Sequence, residues 1–473
     1  MRPIRTILAL AACLGALGAA PATAAPPPIG HVFVIVLENK GFAETFGAGS
    51  RAPYLANTLT DQGQLLANYY ATAHQSLPNY IAMVSGQAAN PDTQADCQFY
   101  SDVSPGTPYA DGQVVGPLGC VYPSAVKTVA DQLHAKGLTW RGYMQDMGNS
   151  ASDPKTCRHP ALNNQDKTQM ARLGDQYAAR HNPFVYFHSI IDDTARCNAS
   201  VVPLDRLPAD LAMAQSTPNY AFVTPNLCED GHDAPCVDGR PGGLVSADAF
   251  LRTWVPRILA SPAYRQDGLL VVAFDEAETG DATACCDEQP GPNTPNPGGL
   301  TAGPGGGLTG AVLLSPWVRA GSINARPYNH YSLLRSVEDI FGLPHLGYAG
   351  RAGLAAFGSD VYNGDGPAVV GPACTEAALP RPRRGVYRRG SLIASSRIIR
   401  SRGRARVQLV FRHRASLDLR QTQRARRHSR TRRIGLRSVR ACRTYRRTLS
   451  PGHGRVTVTA RSGTGRETRG LRF

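Results

Sequence analysis

Several short apolar runs along the chain each end in a polar cluster. Val32-Phe33-Val34-Ile35-Val36-Leu37 runs into Glu38-Asn39, Tyr220-Ala221-Phe222-Val223 leads to Asn226, and Leu269-Leu270-Val271-Val272-Ala273-Phe274 runs into Asp275-Glu276. Residues 139–146, 183–190 and 309–317 carry similar runs. Nearly unbroken Val, Ile, Leu and Phe, without alternation, is the pattern of strands buried on both faces. Helical spacing falls between them, over residues 53–62, 124–136, 246–260 and 331–341. Strands alternating with helices predict an α/β fold, a mostly parallel sheet sandwiched by helices. In such sheets ligands bind beyond the carboxyl ends of the strands. A single polar strand ending is often only a helix cap or a turn. Three of them on separate strands, with acids and amides among them, point to one shared site.

Charge divides the chain. Residues 381–473 hold 29 arginines, no lysine and only Asp418 and Glu467 as acids, a net of +27. The whole chain carries +16, so the remainder carries −11. Opposite signs on two segments predict a boundary near Leu379-Pro380. The basic segment contains alternating runs such as Arg455-Val456-Thr457-Val458-Thr459-Ala460-Arg461, which predict a small Arg-rich β domain over residues 381–473. Cys374 and Cys442 could pin it. At the other end, residues 1–24 combine a basic start, an apolar run and Ala22-Thr23-Ala24, the pattern of a cleaved secretory signal peptide. Removal of Cys13 with that segment leaves ten of the eleven cysteines, an even number that suits disulfides in an exported chain. Cys228 with Cys236 and Cys97 with Cys120 are the expected pairs. Residues 285–308, rich in Gly and Pro, read as a loop, either a plain surface connection or a lid over the Asp275-Glu276 cluster.

The chemistry-bearing residues lie in residues 29–370, the expected catalytic domain. Ser76 falls just before a helical stretch starting near Asn79, where free backbone N–H groups and the helix dipole favour an anion. Phosphoryl transfer needs a nucleophile, a cation to lower its pKa and donors for the phosphoryl oxygens. Glu38, Asp275 and Glu276 are hard oxygen ligands suited to a divalent metal. Asp230 and His232 add a ligand-like pair, and His330 opens the helix at 331–341 as a candidate phosphate contact, general acid or ligand.

The motifs Glu38-Asn39-Lys40, His74-Gln75-Ser76-Leu77-Pro78-Asn79-Tyr80, Asn226 to Asp230 and His232, Ala273-Phe274-Asp275-Glu276 and Asn329-His330-Tyr331 occur in this order between residues 31 and 360. Together they resemble a bacterial phosphoesterase family of acid phosphatases and phospholipases C, itself similar to the alkaline phosphatase superfamily. The resemblance implies an alkaline phosphatase-like fold and a phosphoserine intermediate at Ser76. It also implies that Asn79 donates to a phosphate oxygen, and that Glu38, Asn39, Asp275 and Glu276 surround a metal. Asp230, His232 and His330 would complete a second metal position or line the phosphate pocket. Gln75 stands where that family often has Pro, and Asn226 where a two-metal enzyme would place a carboxylate, so one or two divalent ions remain open. The expected function is a secreted metal-dependent phosphomonoesterase. Its alternatives are a phospholipase C-type phosphodiesterase, or a surface-binding protein held on anionic membrane or wall polymers by the Arg-rich segment. A sulfatase would need an arginine two residues after the proline, where this chain has Tyr80. Sparse aromatics among the arginines argue against specific nucleic-acid binding.

Overall fold

The computed structural model describes residues 25–299, 301–364 and 366 and, beyond them, 393–401, 404–411, 415–424, 429–433, 438–439, 444–449, 454–462 and 465–472. The expected signal segment, Cys374 and Cys442 lie outside these residues.

The first apolar run is β1 (His31–Leu37), and every residue in it is buried. Its side chains divide by parity. Val32, Val34 and Val36 join one hydrophobic core and Phe33, Ile35 and Leu37 the other. A strand that buries both faces has no polar position to alternate with, which explains the unbroken run. The sheet also contains β2 (Gln64–Leu66), β3 (Trp140–Met144), β4 (Val201–Pro203), β5 (Tyr220–Thr224), β6 (Gly268–Phe274), β7 (Ala311–Leu314) and β8 (Ser322–Asn324). Their spatial order is β8-β2-β7-β6-β1-β5-β3-β4. The five strands from β6 to β4 are mutually parallel, whereas β7 runs antiparallel to both β6 and β2. The sheet is thus mixed but mostly parallel, as expected.

Helices cover both faces. Helices α1 (Ser76–Ser85), α2 (Val129–Ala135) and α4 (His330–Phe341) pack into the Val34 core, and α3 (Gly243–Ala260) packs into the Ile35 core through Leu244, Phe250, Leu251, Val255 and Ile258. Burying each such side chain contributes about 1.5–3 kcal/mol before entropy is subtracted. The helix expected over 124–136 is shorter, because Thr128 and Asp131 close a capping box that starts it at Val129.

One expected strand is not a strand. Residues 183–190 form the 3-10 turn Pro183–Tyr186 followed by the short helix His188–Ile191. Pro183 opens that turn, and Phe184, Val185, Tyr186 and Phe187 are apolar because they fill the core. A short apolar run records burial, and burial is common to strands and core helices. The expected pairs Cys97–Cys120 and Cys228–Cys236 are present, together with Cys157–Cys197 and the adjacent pair Cys285–Cys286.

The basic segment forms antiparallel strands with a core of its own: β9 (Ile393–Ser401), β10 (Arg404–Phe411), β11 (Ala415–Arg424), β12 (Ser429–Arg433), β13 (Ser438–Val439), β14 (Thr444–Thr448), β15 (Gly454–Ser462) and β16 (Gly465–Arg472). Val407, Leu409, Leu417, Leu419, Val456 and Val458 fill that core.

Candidate active site

The carboxyl ends of β1, β5 and β6 meet, as parallel packing requires. The Asp275 N–H donates to the Leu37 carbonyl at 2.9 Å and the Glu38 N–H donates to the Asp230 carbonyl at 2.9 Å, so Glu38, Asp230 and Asp275 are held side by side. All three are essentially inaccessible to water. Asn39 follows in the left-handed region (φ 45°), which an Asn tolerates. Its N–H donates to Asp275 Oδ1 at 2.9 Å and its side-chain amide donates to Glu276 Oε1 at 2.8 Å.

Ser76 is the first residue of α1, not a residue before it. Its hydroxyl donates to Glu38 Oε2 at 2.7 Å, and the Tyr80 hydroxyl, one turn on, donates to Glu38 Oε1 at 2.5 Å. A serine hydroxyl and an inaccessible carboxylate in contact is the pairing that an activated nucleophile needs.

Crowding three acids away from water is costly. Burial, then the neighbouring Glu38 carboxylate, pushes Asp275 and Asp230 well above the usual carboxylate range. Burial likewise raises Glu276 to about 7, against the opposing pull of His74. Burial alone would lower the pKa of the His74 ring, but its hydrogen bond to Glu276, the Glu276 charge and the Asp281 carbonyl together raise it. Asp230 Oδ2, Asp275 Oδ2 and His181 Nε2 have no hydrogen-bond partner among the described residues, although all are buried. His181 Nε2 lies 3.4 Å from Glu38 Oε2 and its Nδ1 lies 3.8 Å from Asp230 Oδ2. Burial and then the adjacent Arg180 keep the ring well below the usual imidazole value, hence neutral. Unpaired buried carboxylate oxygens beside a neutral imidazole are donors of the kind a hard divalent cation takes.

Three expected residues take other partners. Asn79 Oδ1 accepts from the Thr72 and Ala73 N–H groups, both at 3.0 Å, and its Nδ2 donates to the Ala73 and Gln75 carbonyls. The amide is therefore spent holding the turn ahead of Ser76 rather than directed at a phosphate oxygen. His330 Nε2 donates to the Asp275 carbonyl at 2.5 Å, leaving Nδ1 to accept from the Tyr69 hydroxyl at 3.0 Å. Burial lowers its pKa to about 4, so it is a neutral brace behind Asp275 and carries no proton to donate as an imidazolium. The His232 side chain is 54% exposed and turns to Asp233, while only its backbone N–H meets Asp230.

Residues not singled out in the sequence are equally close. His181 lies in the segment Arg180-His181-Asn182-Pro183, where a histidine between a cation and an amide is the available signal. Asp96 accepts from the Leu77 N–H at 3.0 Å, beside the nucleophile, and lies 3.7 Å from Arg180. Burial raises its pKa to about 6, with Arg180 opposing. The Gly- and Pro-rich loop is a packed strap. The His74 N–H donates to the Pro297 carbonyl at 2.9 Å, and Ala71 exchanges bonds with Gly306 and Gly307. Gln94 Nε2 gathers the carbonyls of His74, Asn296 and Pro297 at 3.0–3.1 Å. A Cβ at Gly306 would collide with the Ala73 carbonyl, so glycine permits the approach.

A helix-covered, mostly parallel sheet with a serine and clustered acids at its strand ends defines an α/β protein with the outline of a hydrolytic site. The chain belongs to the Phosphoesterase family, whose pattern matches residues 48–344. A probable acid phosphatase of Kluyveromyces lactis is 26% identical over 315 residues, covering 67% of this chain and 59% of that protein. A phosphate-repressible acid phosphatase of Penicillium chrysogenum is 27% identical, covering 61% of this chain and 54% of its own length. The chain thus spans little more than half of these acid phosphatases. A phosphatidylinositol-3-phosphatase of Mycobacterium tuberculosis is 26% identical over 357 residues, 74% of this chain and 92% of that protein. Among solved structures, an alkaline phosphatase superfamily protein from Vibrio parahaemolyticus aligns at 10% identity with a TM-score of 0.41, covering 83% of this chain and 78% of its own.

Proposed function

We propose that the chain is a secreted, metal-dependent hydrolase of phosphate monoesters that works through a phosphoserine at Ser76. The observation that carries this reading is the 2.7 Å bond from the Ser76 hydroxyl to Glu38, set beside Asp230 and Asp275, each with one oxygen that lacks a partner among the described residues. Family membership supports phosphoester chemistry, and the names of the relatives, all phosphatases, favour monoesters over the diesters of a phospholipase C. The N-terminal pattern and the even number of remaining cysteines support export.

Glu38, Asp230 and Asp275 would hold the divalent ion, with the Asn39 amide oxygen and the neutral His181 ring as further donors. When bound, the ion supplies Lewis-acid stabilisation of negative charge on oxygen. Glu38 orients the Ser76 hydroxyl and receives its proton as Oγ attacks phosphorus. The Oγ–P bond forms as the bond from phosphorus to the leaving oxygen breaks, and the departing alkoxide takes a proton from solvent. Water then attacks phosphorus, the Oγ–P bond breaks and Ser76 regains its proton as phosphate leaves. His330 keeps the Asp275 backbone in place throughout. Asn79 and the strap hold residues 71–75, and with them the position of Oγ.

Ser76→Ala removes the nucleophile and leaves the acids in place. Turnover of a chromogenic phosphomonoester is expected to fall by about a thousandfold or more, while inorganic phosphate still binds by calorimetry. Hydrolysis within tenfold of the parent would take Ser76 out of this role.

A further inference from the structure

The strands β12, β11, β15 and β16 lie side by side in that order. Directly opposed residues in antiparallel strands share a face, so the pairings define what each face carries. Leu417, Leu419, Val456, Val458 and Ala460 face the core. On the opposite face the pairings set Arg420 across from Arg433 and Thr457, Arg455 across from Thr422 and Arg472, and Arg461 across from Arg466 and Ser416. Arg424, opposite Ser429, extends the same face. By register this face holds seven arginines and one acid, Asp418, which bonds Arg420 at 2.9 Å. Arg420, Arg455 and Arg472 are exposed, as are Thr431 and Thr468 between them. Gly470 leaves room for the Arg455 guanidinium, which a Cβ there would strike.

Arg455 and Arg472 stand directly across from one another, a like-charge pairing that opposes sheet stability. An ordinary solvated face mixes signs to avoid this. Arginine forks and threonine hydroxyls in alternation suit the oxygens of phosphate groups. The patch is a broad sheet surface, about 30 Å along the strands and about 15 Å across them, rather than a groove that tracks one strand. Its outward positions named above carry no aromatic ring on which a base could stack.

We propose that this face docks the protein on a membrane surface of anionic phospholipid headgroups, an interaction independent of the catalytic reading. The attraction is electrostatic and weakens as salt shortens its range. The test uses the full chain and sedimentation with vesicles of phosphatidylcholine alone or with about 30 mol % phosphatidylglycerol. The parent is expected to pellet with the anionic vesicles at about 50 mM salt and to be released at about 500 mM. The triple reversal Arg420→Glu, Arg455→Glu, Arg472→Glu should lower partitioning about tenfold or more, whereas the three Arg→Lys changes should largely retain it. Far-UV circular dichroism and limited proteolysis of the basic segment should match the parent in both variants, which shows that its sheet stays folded. The proposal is overturned if the parent ignores anionic vesicles, if the reversal variant pellets equally, or if the face binds duplex DNA while leaving vesicles unbound.

Discussion

Two regions of this protein crowd charge of one sign, and they do so under opposite conditions. At the ends of β1, β5 and β6, Glu38, Asp230 and Asp275 are buried together, and burial raises the last two far from their ordinary values. On β11, β15 and β16, Arg420, Arg455 and Arg472 stand in solvent. Away from water a lone charge is so costly that the group must bind a proton, a cation or a partner. In water the same repulsion is screened and each group keeps its charge. Burial therefore turns a cluster of like charges into a binding requirement, whereas exposure leaves it an option. The acids should dominate both activity and stability, and single arginines should matter to neither.

Ser76→Ala, with its expected loss of about a thousandfold, is the largest effect and tests whether the buried cluster is catalytic at all. Asp275→Asn should come next. It should lower turnover by about a hundredfold or more, and it separates charge from packing. In chelator the variant should melt higher than the parent, because no carboxyl with a burial-raised pKa has to take up a proton there on folding. The rise in melting temperature that a divalent ion gives the parent should shrink. An unchanged response to metal would mean that Asp275 does not hold the ion.

A buried acid outside the site gives the same contrast without a metal. Glu338, on α4, accepts from the Leu346 N–H at 2.9 Å, and its other oxygen has no partner among the described residues. Burial raises its pKa from 4.5 to about 9. The folded state therefore holds this proton more tightly than the unfolded chain. The resulting stability is fully present below pH 4.5 and is lost as pH rises toward about 9. Glu338→Gln should match the parent near pH 4 and exceed it by on the order of 5 kcal/mol near pH 8, measured by denaturant unfolding at each pH. Parallel pH profiles for the two proteins would show that the group ionises freely.

Gln94→Ala loosens the clamp between the strap and His74 while touching no acid, and should lower kcat about tenfold with KM little changed. A fall in stability with kcat intact would make the strap purely structural. Smallest of all, Arg420→Ala should change unfolding free energy by no more than about 0.5 kcal/mol and leave turnover as it was. A larger loss would mean that the exposed face is as tightly coupled to folding as the buried cluster.

Much of this was legible along the chain. The unbroken run from Val32 to Leu37 declared a strand buried on both faces, because hydrophobic pattern records burial directly. Alternation in the basic segment likewise declared one wet and one dry face. The strand-end acids could be placed together because parallel strands deliver their carboxyl ends to one edge. Partners were a different matter. Whether Asn79 and His330 face a ligand or brace the backbone depends on Ala73, Tyr69 and Asp275, and for His330 those contacts come from distant segments. His74 and His181 enter the site only because chain far from Glu276 and Glu38 folds over them. The apolar stretch at residues 183–190 recorded its burial but not its 3-10 geometry. Sequence alone determined which positions are dry and which strand ends carry acid, since solvent exposure imprints a local periodicity. Only the tertiary structure decided which polar atoms are spent on one another and which are left for a ligand, because hydrogen bonds are pairwise and their pairs are set by distant packing.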